Sequence, residues 1–184
     1  MISFSFVIKK RSIGKIYNKE LSVSPITTHL PVNKIHKHLT KAKIINQVRL
    51  ITQFYKKEFS KNPKIAITGL NPHCESNYKS SEEDNIIIPA IKYLLNKKYR
   101  VNGPFAADTI FMKEQSKKYD VIIGMYHDQV LTPIKTLYGF NAINITLGLP
   151  FIRISPDHGP NASMLGKNLS NPKSLIESIK FLNK

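Results

Sequence analysis

Cysteine is nearly absent, with Cys74 the single thiol in 184 residues. One thiol excludes an intrachain disulfide framework and makes a reducing compartment, the cytoplasm, the expected address. Long apolar runs are missing as well. None approaches the length needed to cross a bilayer, and the opening MISFSFVIKKRS places apolar residues before basic ones, the reverse of a secretory signal. The chain therefore reads as soluble, with no membrane partner. Acidic residues are scarce, 12 against 28 Lys and Arg, which gives a formal net charge of +16 and raises nucleic acid as a partner. The basic residues are nevertheless scattered over 9–19, 34–43, 56–64 and 113–118, with no interleaved aromatic platform and no RNA-binding signature. That distribution points to a solvated lysine-rich surface and no nucleic-acid partner.

What is present is pattern. With 41% hydrophobic residues the chain can bury a core as a single region. Ile2, Phe4, Phe6 and Ile8 alternate with Ser3, Ser5, Val7 and Lys9 as in a half-buried strand, which needs neighbours and so reads as part of a larger sheet. A second strand over 21–28 ends before Pro31 and leaves His29 at its end. Helical spacing over 33–59 carries Ile44, Ile45, Val48, Ile51, Phe54 and Tyr55 behind an N-cap at Thr40, with His36 and His38 on a polar lead-in. Residues 64–70 form a short buried strand that Asn71-Pro72 breaks, setting His73 at a strand end.

Ser81-Glu82-Glu83-Asp84 resembles a capping box, and the helix after it carries Ile86, Ile87, Ala90, Ile91, Leu94 and Leu95. A strand at 99–102 and a turn at Gly103-Pro104 follow, then Asp108 in a loop or at a helix start. The apolar run from Val121 to Met125 is a buried strand that delivers His127 and Asp128. Strands at 143–147 and 151–155, a tight connection at Asp157-His158-Gly159, and a helix opened by Asn171-Pro172 complete the chain. That last helix is expected to bury Leu175, Ile176, Ile179 and Leu182. Alternating strands and helices indicate an α/β fold, a largely parallel sheet with flanking helices, and there are no repeats.

In open α/β sheets ligands bind beyond the carboxyl ends of the strands. His29, His73 and His127 each follow a strand, so a parallel sheet carries all three to one edge. Three imidazoles with an open position are a catalytic metal site, although the spacing is long range and isolated histidines are often only hydrogen-bonded structural residues. Lys135, Asn144 and Arg153 add two cations and an amide, which suit an anionic ligand.

The residues themselves say more than their spacing. Thr27-Thr28-His29-Leu30-Pro31, Gly69-Leu70-Asn71-Pro72-His73, Gly103-Pro104-Phe105-Ala106-Ala107-Asp108-Thr109, Met125-Tyr126-His127-Asp128-Gln129, and the run from Asn144 through Gly148-Leu149-Pro150-Phe151-Ile152-Arg153 occur in this order. The set resembles the 4-hydroxythreonine-4-phosphate dehydrogenase family of pyridoxine (vitamin B6) biosynthesis, over nearly the entire chain. The resemblance implies an isopropylmalate/isocitrate dehydrogenase-like fold. Residues 1–184 would be a single region matching the C-terminal part, N-terminally truncated.

By the same resemblance His29, His73 and His127 bind one divalent metal ion (zinc, magnesium or cobalt), with ligands shared between the subunits of a homodimer. Lys135, Asn144 and Arg153 bind a phosphorylated amino-acid substrate, and Asp157, His158 and Gly159 lie on the NAD side. The superfold does not hold NAD through Gly-x-Gly-x-x-Gly, so the absence of that run carries no weight. The implied reaction is NAD-dependent oxidation of 4-phosphohydroxy-L-threonine to 2-amino-3-oxo-4-(phosphonooxy)butanoate, then decarboxylation to 3-amino-2-oxopropyl phosphate. Asp108 and Asp128 are candidates for proton transfer or for orienting a metal-bound histidine. Val130 stands where the family has glycine, and residues 74–79 replace its glycine-rich run. Two function classes follow: a dehydrogenase, and a truncated noncatalytic remnant that folds, dimerises and binds metal or a phosphorylated metabolite.

Overall fold

The computed structural model describes residues 13–74, 80–157 and 162–183; the strand expected near Ile2 to Ile8 lies outside the described residues. In chain order the elements are β1 (Ile13–Tyr17), β2 (Ser22–Thr27), α1 (Ile35–His38), α2 (Lys41–Phe59), β3 (Ile65–Thr68), α3 (Ile88–Asn96), β4 (Val101–Phe105), α4 (Ala107–Ile110), α5 (Lys113–Ser116), β5 (Val121–Tyr126), α6 (His127–Tyr138), β6 (Ile143–Leu147), β7 (Arg153–Pro156) and α7 (Lys173–Leu182). Among the described residues no helix is long and apolar enough to cross a membrane.

One sheet holds all seven strands in the order β4-β3-β5-β2-β1-β6-β7. The four from β4 to β2 are parallel, joined through helices as the alternation indicated. The other half is antiparallel: β1 pairs against both β2 and β6, and β6 against β7. Connection length decides the difference. Only residues 18–21 link β1 to β2 and only 148–152 link β6 to β7, and a parallel pairing needs a crossover of a dozen residues or more.

Helices cover both faces, so β5 is apolar throughout rather than alternating. Its Ile123 and Met125 join Ile44, Val48 and Ile51 of α2, Leu94 of α3 and Ile145 of β6 on one side. Ile122 meets Val130, Leu131 and Ile134 of α6 on the other. Lys15 departs from the expected solvated lysines. It is fully buried, with Nζ 4.2 Å from the Tyr55 ring centroid, 4.7 Å from Phe54 and 4.9 Å from Tyr17, which places the ammonium against three aromatic faces.

Thr40 caps α2 as its sequence suggested. Its backbone is extended and its hydroxyl accepts from the Lys43 N–H at 3.3 Å, which splits the single expected helix into a Val32–Lys34 turn, α1 and α2. Thr40→Ala should cost about 1 kcal/mol. In a chain of this size that lowers the melting temperature by about 2–4 °C in a thermal scan.

Two expectations are corrected. Gly103-Pro104 is not a turn: it lies inside β4, with a cis peptide bond, where the pairing with β3 shifts register between Ala66 and Thr68. The shift fits the crowding there, because a Cβ on Gly103 would stand 2.3 Å from the Ile67 carbonyl oxygen. The apolar stripe of α7 is also turned the other way. Leu175, Ile176, Ile179 and Leu182 are 50%, 44%, 52% and 59% exposed, and the helix buries Ser174, Ser178 and Phe181 instead. The reason is hydrogen bonding at close range. Ser174 Oγ donates to the Ala142 carbonyl and accepts the Asp157 N–H, so the small face must lie against the sheet, and Phe181 stacks on Phe54 and meets Tyr17 edge-on. At the start of α7, Pro172 takes the N-cap position and Asn171 Oδ1 accepts the Lys173 N–H.

Candidate metal and substrate site

The parallel strands β2, β3 and β5 end at one edge, with Thr27 beside Tyr126. His29 follows β2, His73 follows β3, and His127 opens α6 directly after β5. The rings of His29 and His127 have centroids 5.6 Å apart at 45°. His73 is not gathered into a cluster with them: among the described residues no group of three or more His, Cys, Asp or Glu is arranged to hold a metal ion. One chain thus brings together two of the three expected ligands.

His127 Nδ1 is 2.6 Å from Asp128 Oδ1. A carboxylate on Nδ1 fixes the tautomer that presents the Nε2 lone pair, the usual outer partner of a metal-binding imidazole. His29 and His73 both sit in left-handed backbone, at φ 52° and 58°. That conformation costs of order 1–3 kcal/mol for a residue other than glycine and persists where surrounding contacts impose it. Beside His29 one such contact is the hydroxyl of Thr27, which donates to the Met125 carbonyl at 2.8 Å and ties the end of β2 to β5. Asp108 lies in the first turn of α4, whose N-cap is Ala106, so it does not cap that helix.

Two side chains that sequence reasoning passed over hold the loops behind the histidines. Gln129 accepts from Thr68 Oγ1 at 2.9 Å and from the Met125 N–H at 2.7 Å, and donates to the Gly69 carbonyl at 2.8 Å. It therefore ties the ends of β3 and β5 together. Glu83, 1% exposed, accepts the Leu70 and Asn71 N–H groups at 2.7 and 2.9 Å on one oxygen and the Asn71 side-chain amide at 2.8 Å on the other. The available signals were slight. Gln129 directly follows His127-Asp128, and the capping work is done by Ser81, whose hydroxyl accepts the Asp84 N–H, leaving Glu83 for another role.

Burial pushes the Glu83 carboxyl up, but the bonds from Asn71 and Leu70 outweigh it and hold the group below its ordinary range. A lowered carboxylate pKa stabilises the fold above the unfolded pKa, about 4.3, and that contribution is lost as pH falls through the folded value. Glu83→Gln should cost about 2 kcal/mol at neutral pH and progressively less in acid. Urea unfolding of both proteins along a descending pH series reads the convergence.

On the substrate side, Ile143, Ile145 and Leu147 of β6 face α2, which turns Asn144 and Thr146 toward the α6 side. Across the strand pair they face Ser155 and Arg153. Arg153 Nη1 donates to Thr146 Oγ1 at 2.9 Å. Asn144 Oδ1 is buried without a hydrogen-bond partner among the described residues, an acceptor that costs free energy unless something donates to it. Lys135 on α6 reaches Asp157, with Nζ 3.1 Å from both Oδ2 and the carbonyl oxygen. Asp157 itself is buried; His158 and Gly159 lie outside the described residues. Residues 75–79, within the segment that replaces the glycine-rich run, do too. Val130 is fully buried against Gly124, where a Cβ would stand 2.4 Å from Val130 Cγ1. Its extra bulk is taken up by the core.

The family model for pyridoxal phosphate biosynthetic protein PdxA matches residues 5–182. The chain is 47% identical over 165 residues to a 4-hydroxythreonine-4-phosphate dehydrogenase of Sulfurihydrogenibium sp., covering 89% of this chain and 51% of that one. It is 40% identical over 171 residues to the protein of the same name from Bradyrhizobium diazoefficiens, covering 92% and 50%. A crystal structure of 4-hydroxythreonine-4-phosphate dehydrogenase from Klebsiella pneumoniae superposes with a TM-score of 0.80 at 33% identity, covering 93% of this chain and 53% of that chain. The chain spans about half the length of the curated relatives it matches.

Proposed function

The chain belongs to the pyridoxal phosphate biosynthetic protein PdxA family, and from that premise we propose that it carries the metal- and substrate-binding part of an NAD-dependent dehydrogenase acting on 4-phosphohydroxy-L-threonine. The observation that carries the reading is the His29–His127 pair, 5.6 Å apart at the carboxyl edge of the parallel strands, with Asp128 on His127 Nδ1. Imidazole donors oriented by a carboxylate fit zinc, cobalt or another divalent ion. In this reading His73 completes the set from a second copy of the chain, in a cytoplasmic homodimer.

His29 and His127, with His73 of a second copy, would hold the divalent ion, which when bound would supply Lewis acidity toward the substrate hydroxyl. The remaining roles fall to this chain's own side chains. Asp128 keeps the His127 ring in register. Arg153, a planar fork, takes phosphate or carboxylate through two bonds, and Lys135 adds a point charge. Asn144 Oδ1, an acceptor with no donor among the described residues, takes an N–H or O–H of the substrate. Asp108 is assigned the proton removed from the hydroxyl as it is oxidised. Asp157, His158 and Gly159 are assigned to NAD binding. The oxidation would yield 2-amino-3-oxo-4-(phosphonooxy)butanoate, and loss of carbon dioxide 3-amino-2-oxopropyl phosphate.

The alternative reading is a noncatalytic remnant that dimerises and binds metal or a phosphorylated metabolite. NADH formation from 4-phosphohydroxy-L-threonine, with divalent metal and with or without an added N-terminal half from a family member, separates the two. The dehydrogenase reading expects NADH in at least the complemented mixture. Ligand binding with no NADH in either mixture would establish the remnant.

A further inference from the structure

His73 and Cys74 are consecutive residues with left-handed backbone, φ 58° and 59°, in a one-turn segment, Pro72–Cys74, just past β3. Two side chains bracket the segment, with Glu82 Oε2 accepting from the Asn71 side-chain amide at 3.0 Å. Glu83 binds the N–H groups of Leu70 and Asn71 and the amide of Asn71, and the Asn71 carbonyl accepts the Cys74 N–H at 3.2 Å, closing the turn over His73. Gly69 makes room for this: a Cβ there would stand 2.9 Å from Glu83 Oε1 and 2.7 Å from Cys74 Sγ. The carboxylate is aimed inward by an unusual backbone. Glu83–Ile87 forms a π turn, with the Ile88 N–H bonded to the Glu83 carbonyl, directly ahead of Pro89, which has no N–H to continue an α-helical ladder. Gln129 then connects Gly69 to α6, the helix that His127 begins.

We propose that Glu83 is a positioning residue for His73: its buried carboxylate fixes the left-handed turn that sets the His73 imidazole for metal coordination. This rests on the reading of His73 as a metal ligand. It adds to that reading an outer-sphere partner remote in sequence and not in contact with the ion.

The test is cobalt(II) titration of the full chain and of Glu83→Gln, Glu83→Ala, His73→Ala and the double variant Glu83→Gln with His73→Ala. Amide hydrogen exchange at Leu70 and Asn71 is followed in the same proteins. Loss of an outer partner weakens metal affinity by about 10–100-fold. Glu83→Gln should show a drop in that range together with faster exchange at both amides. The double variant should bind no more weakly than His73→Ala alone, because Glu83 acts through His73. Thr40→Ala, which lowers stability away from the loop, should keep wild-type affinity. Should Glu83→Ala fail to fold, the near-isosteric Gln variant carries the test. Wild-type affinity in Glu83→Gln alongside lost affinity in His73→Ala would overturn the positioning role and leave the metal site standing. Wild-type affinity in His73→Ala would remove His73 from the site, and the positioning role with it.

Discussion

Gly103→Ala is expected to cost about 4 kcal/mol or to abolish cooperative unfolding altogether. The new Cβ would sit 2.3 Å from the Ile67 carbonyl oxygen and 3.2 Å from the Ile67 carbonyl carbon. These are backbone atoms of a neighbouring strand, so no rotamer change relieves the overlap. The φ of +139° is also a conformation that L side chains rarely adopt, adding of order 1–3 kcal/mol. The strand that must give way is β3, whose Ile65, Ala66 and Ile67 are buried between the two helical layers. A movement there opens contacts to β5 as well, and cores resist such displacement at 1–3 kcal/mol or more. Urea unfolding reads the change in midpoint. A midpoint within error of the parent protein would mean that the β3–β4 approach is looser than these distances say.

His127→Ala is expected to weaken divalent-metal affinity by at least about 100-fold, read by titration calorimetry with zinc. Direct loss of a donor should exceed the 10–100-fold effect of losing an outer partner. It breaks the 5.6 Å imidazole pair and leaves Asp128 with nothing to orient. His29→Ala should act to a similar extent, since it removes the other ring. His38→Ala is the internal control: its ring is exposed and engaged with the Lys34 carbonyl at 2.9 Å within α1. Equal losses in all three variants would mean nonspecific binding to surface histidines.

The elements that sequence conveyed well are those decided locally. Thr40 reads as a cap because its hydroxyl satisfies an N–H three residues away, and 121–125 reads as a buried strand because both its faces are covered. The placement of three histidines after strands needed only the order of elements. What was hidden depends on distant partners. A Leu/Ile stripe on α7 reports amphipathicity without saying which surface covers it, and Ser174 decides the matter through bonds to Ala142 and Asp157. Glu83 is indistinguishable from Glu82 in sequence; both accept from the Asn71 side-chain amide, and the backbone N–H groups of Leu70 and Asn71, which bond Glu83, separate them. His73 looks equivalent to His29 and His127 along the chain, yet the fold of one chain pairs only the other two.

That last difference gives the most direct test of the account, native mass spectrometry of the purified chain supplied with zinc or cobalt, beside His127→Ala prepared in the same way. The expected result is an assembly of two chains with one divalent ion per chain, and an ion-free His127→Ala protein. Ions retained at parental stoichiometry in His127→Ala, or a chain that binds none, would contradict it.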